Sequence, residues 1–577
     1  MFNRYRALKL TYNTRKHLKL AIAPIQSYLL MGMTRSIKSS IELNDKETKI
    51  KNVLVEFCNH YNQDKSTDQH LELRITGGWV RDKLLGNESN DIDIAINHLT
   101  GEEFTNQLYE YLATHLPSLH LKSIHTIKKN PEKSKHLETC TTKLFDQDID
   151  FVNLRSEIYS QDSRVPIIEF GTAEQDAKRR DATLNSLFYN LNLNKIEDFT
   201  TQGLNDLKNG ILRTPLPPLQ TFLDDPLRVL RLIRFACRFN FIIEENTLAA
   251  MQNPQIKNSL STKISRERVG IEIEKILMSD NPEYGLQLIN YIGLFQSIFT
   301  FGDLNDVIHK INQPKVLDKL HECYDNLTNQ TNISTQLFPI FKKQLQSNKS
   351  SNMYEIFQEI FNNSESKKLF WLSIVLAPFE SLTVMTKLKK DIGTHVPEVI
   401  LREGLRYSKK DIDVVSNLTK QYELSHNDMI NFLNHPQTIK RSDIGIYLRN
   451  FKNYPHLNLI FCCFNDILQS ISSFNLIIDK PVPENYHINL ENYENLISNQ
   501  IEEYENLLKL IKSQDLEHVY NLKPIVDGKV LSKELNIKPG PWMGNVTPEI
   551  LIWQLDNPEK SAQECLVHIK LIIHNYI

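Results

Sequence analysis

The chain has 577 residues, 41% of them hydrophobic and 24% charged, with 67 Lys and Arg against 70 Asp and Glu and a net charge of −3. At roughly 150 residues per domain this is material for about four domains, which excludes a mini-protein, a collagen and a largely disordered chain. No apolar run approaches the roughly 18 residues of a membrane-spanning helix, so membrane insertion is not expected, and the balanced charge leaves any nucleic-acid surface to a local basic patch. Seven cysteines without a C-x-x-C spacing argue for a reducing compartment and against a zinc site.

Residues 1–41 carry eight Lys or Arg and no acidic residue before Glu42. An acid-free, Arg-containing, Ser-bearing N-terminus reads as a mitochondrial targeting segment, with a disordered basic tail as the alternative. Initiation at Met31 or Met33 would give cytoplasmic and nuclear forms without it. From Val53 to Asn194 strands mix with helices: Leu71–Thr76 and Ile92–Ile96 alternate, and Ile149–Val152 and Ser186–Tyr189 do so more loosely. Ile127–His136, polar and broken by Pro131, reads as a mobile loop. Beyond Pro226 the helical period dominates, with helices expected over Leu227–Phe239, Arg266–Met278, Tyr284–Phe295 and Tyr493–Ile511. This order of elements gives an α/β or α+β first part and a helical remainder.

Three constellations carry chemistry. Gly77-Gly78-Trp79-Val80-Arg81-Asp82 follows a strand and opens a helix, so backbone amides can approach a phosphate while Arg81 clamps its oxygens. Asp91 and Asp93 stand at i and i+2 on the next strand, where both carboxylates project from one face and can share two divalent cations. Arg179-Arg180-Asp181-Ala182-Thr183-Leu184-Asn185 follows. Asp224-Asp225-Pro226-Leu227-Arg228 then opens a helix, with Asp225 at its cap and Arg228, Arg231 and Arg234 on one broad face.

Taken in order, these motifs resemble the nucleotidyltransferase superfamily that includes DNA polymerase beta and the poly(A) polymerases. More closely they resemble the class II tRNA nucleotidyltransferases, or CCA-adding enzymes, of eukaryotic and fungal-like type. The signatures continue through Asp198–Leu207, Ile211–Thr214 and Arg266-Glu267-Arg268-x-x-x-Glu272, and Pro524–Gly544 is similar to the tail of fungal relatives. Two departures stand out: Asp224 where the family usually has Glu, and Asp198-Phe-Thr-Thr-Gln-Gly203 in place of Asp-Pro-Phe-Gly-Gly.

The resemblance implies an α+β fold, with a polymerase-beta-like head containing a mixed sheet (48–215), then a helical neck for nucleotide selection (216–290), a helical body (291–450) and a tRNA-binding tail (451–577). It implies addition of C, C and A to the 3′ end of tRNA from CTP and ATP, with release of pyrophosphate and no obligate protein partner. Asp91 and Asp93 are then the catalytic and metal-binding residues for two Mg²⁺ ions, with Asp150 as a possible third carboxylate. Gly78, Arg81, Arg180, Asp181, Asp225, Arg228, Arg231 and Arg234 form the nucleotide site. Cytosine and adenine each present an exocyclic amine beside a bare ring nitrogen; a carboxylate at Asp225 next to a guanidinium at Arg228 matches that edge and opposes the edges of uracil and guanine. The rival expectations are a poly(A)-adding enzyme of the same superfamily and a non-catalytic RNA-binding protein on this fold.

Overall fold

The computed structural model describes residues 36–117, 119, 122–127, 139–160, 163–387, 393–473 and 491–576. Most of the basic N-terminal segment, with Met31 and Met33, and residues 128–136 of the expected loop lie outside the described residues. The chain divides into two compact units, one ending at Ile298 and the other running from Phe299.

The first unit opens with helix α1 (Asp45–Asn62), strand β1 (Leu73–Thr76), helix α2 (Gly78–Leu84), β2 (Ile92–Ile96) and α3 (Gly101–His115). Strands β3 (Lys122–Ile127), β4 (Thr139–Leu144) and β5 (Gln147–Asn153) follow, then a hairpin of β6 (Arg155–Ser160) and β7 (Ser163–Phe170). Helix α4 (Ala173–Lys178) leads to β8 (Phe188–Asn190) and β9 (Lys195–Glu197). Seven strands form one sheet in the order β3-β4-β5-β2-β1-β8-β9, while β6 and β7 pair with each other as a separate ribbon. The sheet is mixed, because β2 and β5 run parallel whereas β1 is antiparallel to both β2 and β8. Phe57 of α1 packs on Phe104 of α3 at 5.4 Å between ring centroids, and Phe104 on Phe151 of β5 at 4.7 Å, so these helices are anchored to the sheet through aromatic faces.

Two strand expectations shift. The first strand begins at Leu73, not Leu71, and is buried at all four positions rather than on alternate ones. It lies inside the sheet, and Arg74 tolerates burial because its guanidinium pairs with Glu72 and, at 2.7 Å, with Glu197. The strand expected over Ser186–Tyr189 starts at Phe188, because Thr183–Asn185 close a 3₁₀ turn just before it.

The same unit continues into helices. Helix α5 (Leu227–Phe239) matches its expected bounds and ends where Asn240 turns left-handed, at φ 52°. Helix α6 (Arg266–Leu277) packs on it, as does α7 (Pro282–Ile292). The helix expected to run to Phe295 stops three residues earlier. Gly293 adopts φ 76°, a left-handed cap that glycine enters without steric cost. Gly285 marks a close approach, since a β-carbon there would lie 2.5 Å from Ile276 Cγ2 and 2.6 Å from Cys237 Sγ.

The second unit is built mainly of helices. Its longest, α8 (Pro314–Ser347), has 34 residues and contributes Phe338 and Phe341 to an aromatic core with Phe357, Phe370, Trp371 and Phe464. The helix expected over Tyr493–Ile511 extends two residues further at each end, to Glu491–Ser513. In the segment Pro524–Gly544, Asp527 caps the helix Gly528–Leu535, and Val526, Leu531 and Trp542 join a small core with Cys565 and Ile569. Among the described residues no helix is long and apolar enough to cross a membrane.

Candidate active site

The site starts at the join between β1 and α2. Gly77 adopts φ 73°, which permits a sharp turn out of the strand. Two guanidinium groups close over this turn. A β-carbon on Gly77 would lie 3.1 Å from Arg180 Nη1, and one on Gly78 would lie 3.2 Å from Arg81 Nη2. Helix α2 is only seven residues long, so the positive charge at the turn comes chiefly from arginine rather than from the helix dipole. Arg81 itself is buried: its Nε donates to Asp82 at 2.8 Å, its Nη1 to Asn185 at 2.5 Å, and its guanidinium lies over the Phe239 ring.

Beside the turn the carboxylates gather. Asp91 immediately precedes β2 and is exposed, whereas Asp93 within β2 is partly buried. The parallel register sets Asp93 directly across from Asp150 of β5, so the two share a face of the sheet. Asp150 accepts a hydrogen bond of 2.5 Å from Thr141 Oγ1 on the other neighbouring strand. Burial, with the negative charges of Asp91 and Asp150, pushes the Asp93 carboxyl up to about 6 against the opposing pull of Arg180. Among the described residues no three His, Cys, Asp or Glu are already arranged to enclose a metal. The donors present are hard carboxylate oxygens whose mutual repulsion and burial outweigh the pull of Arg180. They fit a cation such as Mg²⁺, which takes one or two carboxylates and completes its shell with water and substrate phosphate.

The Arg179–Asn185 motif carries a ladder of ion pairs. Asp176 on α4 accepts from Arg179 at 2.5 Å through one oxygen and from Arg180 at 2.7 Å through the other. Asp181 is likewise occupied, by the Asn185 amide at 3.0 Å and by Arg231 Nε at 2.7 Å. Burial alone would raise the Asp181 carboxyl, but Arg231, Asn185 and Arg228 outweigh it and hold the group well below the usual carboxylate range. Arg234 forms a 2.8 Å ion pair with Glu272 of α6.

The start of α5 behaves as the sequence suggests in one respect and departs in another. Asp225 Oδ1 accepts from the Leu227 amide at 3.1 Å, capping the helix. Its Oδ2 lies 3.8 Å from Arg268 Nη2, while Arg228 Nη2 donates to the Arg179 carbonyl at 2.8 Å. Five residues that join this site, Glu157, Asp176, Arg179, Arg268 and Glu272, have no role in the sequence reading. Arg268 and Glu272 were within reach of it, because their i, i+4 spacing in the Arg266–Glu272 signature sets both on one helix face.

Residues 73–213 match the poly A polymerase head domain, and residues 240–303 match the family described as a probable RNA and SrmB-binding site of polymerase A. With the mixed sheet and its carboxylates, this makes the chain a nucleotidyltransferase. It is 44% identical over 547 residues to the mitochondrial CCA tRNA nucleotidyltransferase of Saccharomyces cerevisiae, covering 93% of this chain and 95% of the relative. Identity to the mitochondrial CCA tRNA nucleotidyltransferase of Candida glabrata is 41% over 544 residues, with coverages of 93% and 97%. The chain belongs to the CCA tRNA nucleotidyltransferase family. Its fold is similar to that of the Thermotoga maritima CCA-adding enzyme solved with tRNA, at a TM-score of 0.51 and 20% identity over 95% of this chain and 98% of that one.

Proposed function

We propose that this enzyme adds C, C and A in turn to the 3′ end of tRNA from CTP and ATP, without a nucleic-acid template, releasing pyrophosphate at each step. The observation that carries this reading is the presence, within one compact unit, of the neighbouring Asp91, Asp93 and Asp150 carboxylates, the arginine-flanked Gly77-Gly78 turn and the Asp225-x-x-Arg228 helix start. Asp91 and Asp93 would hold two Mg²⁺ ions, whose charge when bound favours an attacking 3′ oxygen and a departing pyrophosphate. Asp150 adds a third acceptor. Arg180 and Arg81, whose guanidinium groups close over the glycine turn, hold the triphosphate there. Asp225 and Arg228 read the pairing edge of the incoming base; Asp181 and Arg231 keep the helix that bears them against the head, Arg234 braces it on α6 through Glu272, and all three complete the nucleotide pocket. The division into head (48–215), neck (216–290), body (291–450) and tail (451–577) belongs to the same reading, with tRNA gripped largely through phosphates and shape because one enzyme must serve every tRNA.

The mitochondrial relatives support mitochondrial residence. Residues 1–41 would then be the targeting segment, and starts at Met31 or Met33 would supply cytoplasmic and nuclear forms. The deciding experiment gives purified protein Mg²⁺, a tRNA lacking its last three nucleotides, and each NTP singly and together. Addition of C, C and A followed by arrest is expected. An open-ended A tail would make it a poly(A)-adding enzyme, and tight tRNA binding with no incorporation a binding protein. Asp93→Ala should abolish both C and A addition while tRNA affinity in a filter-binding assay stays nearly unchanged; substantial residual extension would remove the metal assignment.

A further inference from the structure

The β6–β7 ribbon stands apart from the main sheet, and it carries a carboxylate directed at the nucleotide-selecting helix. Glu157, on β6, has a side chain only 6% exposed. Its Oε1 accepts from Arg155 Nε at 2.8 Å and from Arg179 Nη1 at 3.0 Å. Its Oε2 lies 3.9 Å from Arg228 Nη2, the same nitrogen that donates to the Arg179 carbonyl at 2.8 Å. One terminal nitrogen of Arg228 is thus hydrogen-bonded to the Arg179 carbonyl and drawn electrostatically toward Glu157. Both groups lie outside α5, so the direction in which the remaining donors of this planar guanidinium point is biased from outside its own helix.

We propose that Glu157 is a positioning residue for base selection, holding the Arg228 guanidinium in the plane that reads the pairing edge of the incoming nucleotide. The inference rests on the reading of Asp225 and Arg228 as the base-selecting pair. That pair discriminates only if Arg228 aims a donor at the ring nitrogen, which welcomes the bare nitrogen of cytosine and opposes the N–H of uracil. Three guanidiniums face the Glu157 carboxylate. Removing its charge weakens the balance against the mutual repulsion of Arg155, Arg179 and Arg228, and takes away one of the two groups that orient the Arg228 guanidinium. A misaimed donor no longer opposes uracil.

The test uses the full-length protein and a tRNA lacking its last three nucleotides, reading kcat/KM for CTP and for UTP together with the melting temperature. Glu157→Gln keeps the shape and removes the charge, and is expected to lower the CTP-to-UTP preference about tenfold or more. In an Arg228→Ala background the same change should leave the preference where Arg228→Ala alone puts it, because Glu157 acts through Arg228. A purely structural role would lower both efficiencies and the melting temperature in proportion and leave the ratio unchanged, which overturns the proposal, as does an equal effect of Glu157→Gln with and without Arg228. If Glu157→Gln does not fold, Glu157→Asp is read instead. Its carboxylate, one methylene shorter, falls away from Arg228, so an unchanged ratio in that folded variant also overturns the proposal. The underlying reading is tested separately: an unchanged preference in Arg228→Ala removes it, whereas a collapse there beside a wild-type ratio in Glu157→Gln removes only the role of Glu157.

Discussion

Asp225 combines two duties in one carboxylate, capping α5 through Oδ1 and facing Arg268 through Oδ2. Asp225→Ala should therefore weaken CTP and ATP while UTP and GTP gain relative ground by about ten- to a hundredfold, the value of a lost bidentate edge contact of roughly 1–3 kcal/mol. Loss of the cap should cost about 1 kcal/mol of stability, so single-nucleotide incorporation and thermal unfolding need to be measured on the same variant. Undiminished preference in a folded variant would shift selection to the arginines or the tRNA end. Asp176 gives a pH signature instead. Burial would raise its carboxyl, but Arg180 and Arg179 pull it down to about 2 from an ordinary 3.8. Because the group titrates lower folded than unfolded, its contribution is complete above the unfolded value and disappears as pH falls toward about 2. Asp176→Asn is expected to cost about 2 kcal/mol at neutral pH, with the gap from wild type closing below about pH 4 in urea unfolding. A gap independent of pH would mean that Asp176 contributes packing rather than charge.

Helices of the first unit meet closely at Gly285 of α7, whose missing side chain lets it approach Cys237 of α5 and Ile276 of α6. Gly285→Ala should therefore destabilise by about 1–3 kcal/mol through overpacking, despite alanine's better helix propensity; calorimetry would show a lowered melting temperature, and a raised one would contradict the close packing. Elements with local signals were legible in the sequence: Leu227–Phe239 carries its own apolar stripe and a proline-aided start, and Ile92–Ile96 its own alternation. Signals that depend on surroundings were not. The burial of Arg74 depends on Glu197 of β9, the edge strand beyond β8, and the end of α7 on Gly293 turning left-handed. The motifs named the charged residues of the site but not their partners, since Asp181 meets Arg231 across 50 residues and Arg228 meets the Arg179 carbonyl across 49. Pairing of that kind is a property of the folded chain, and no local pattern encodes it.

On the scale of the molecule, every residue proposed for chemistry or base choice lies in the unit ending at Ile298. Within that unit, the sheet-bearing part and the helices after Pro226 are joined by the ion pair of Arg231 with the buried Asp181, while Arg234 and the buried Glu272 tie α5 to α6. Charges enclosed in this way feel little of the ion atmosphere, whose screening length is about 8 Å at physiological ionic strength, whereas contacts to tRNA phosphates displace counterions and weaken steeply with salt. Raising KCl from about 0.05 to about 0.5 M should therefore loosen tRNA binding by orders of magnitude and leave the CTP-to-UTP preference where it was; a preference that eroded in step with binding would show that solvent reaches the joint. The expected outcome would put accuracy and grip under separate physical control: an organelle whose ionic contents drift would slow the repair of tRNA ends without corrupting what is written on them.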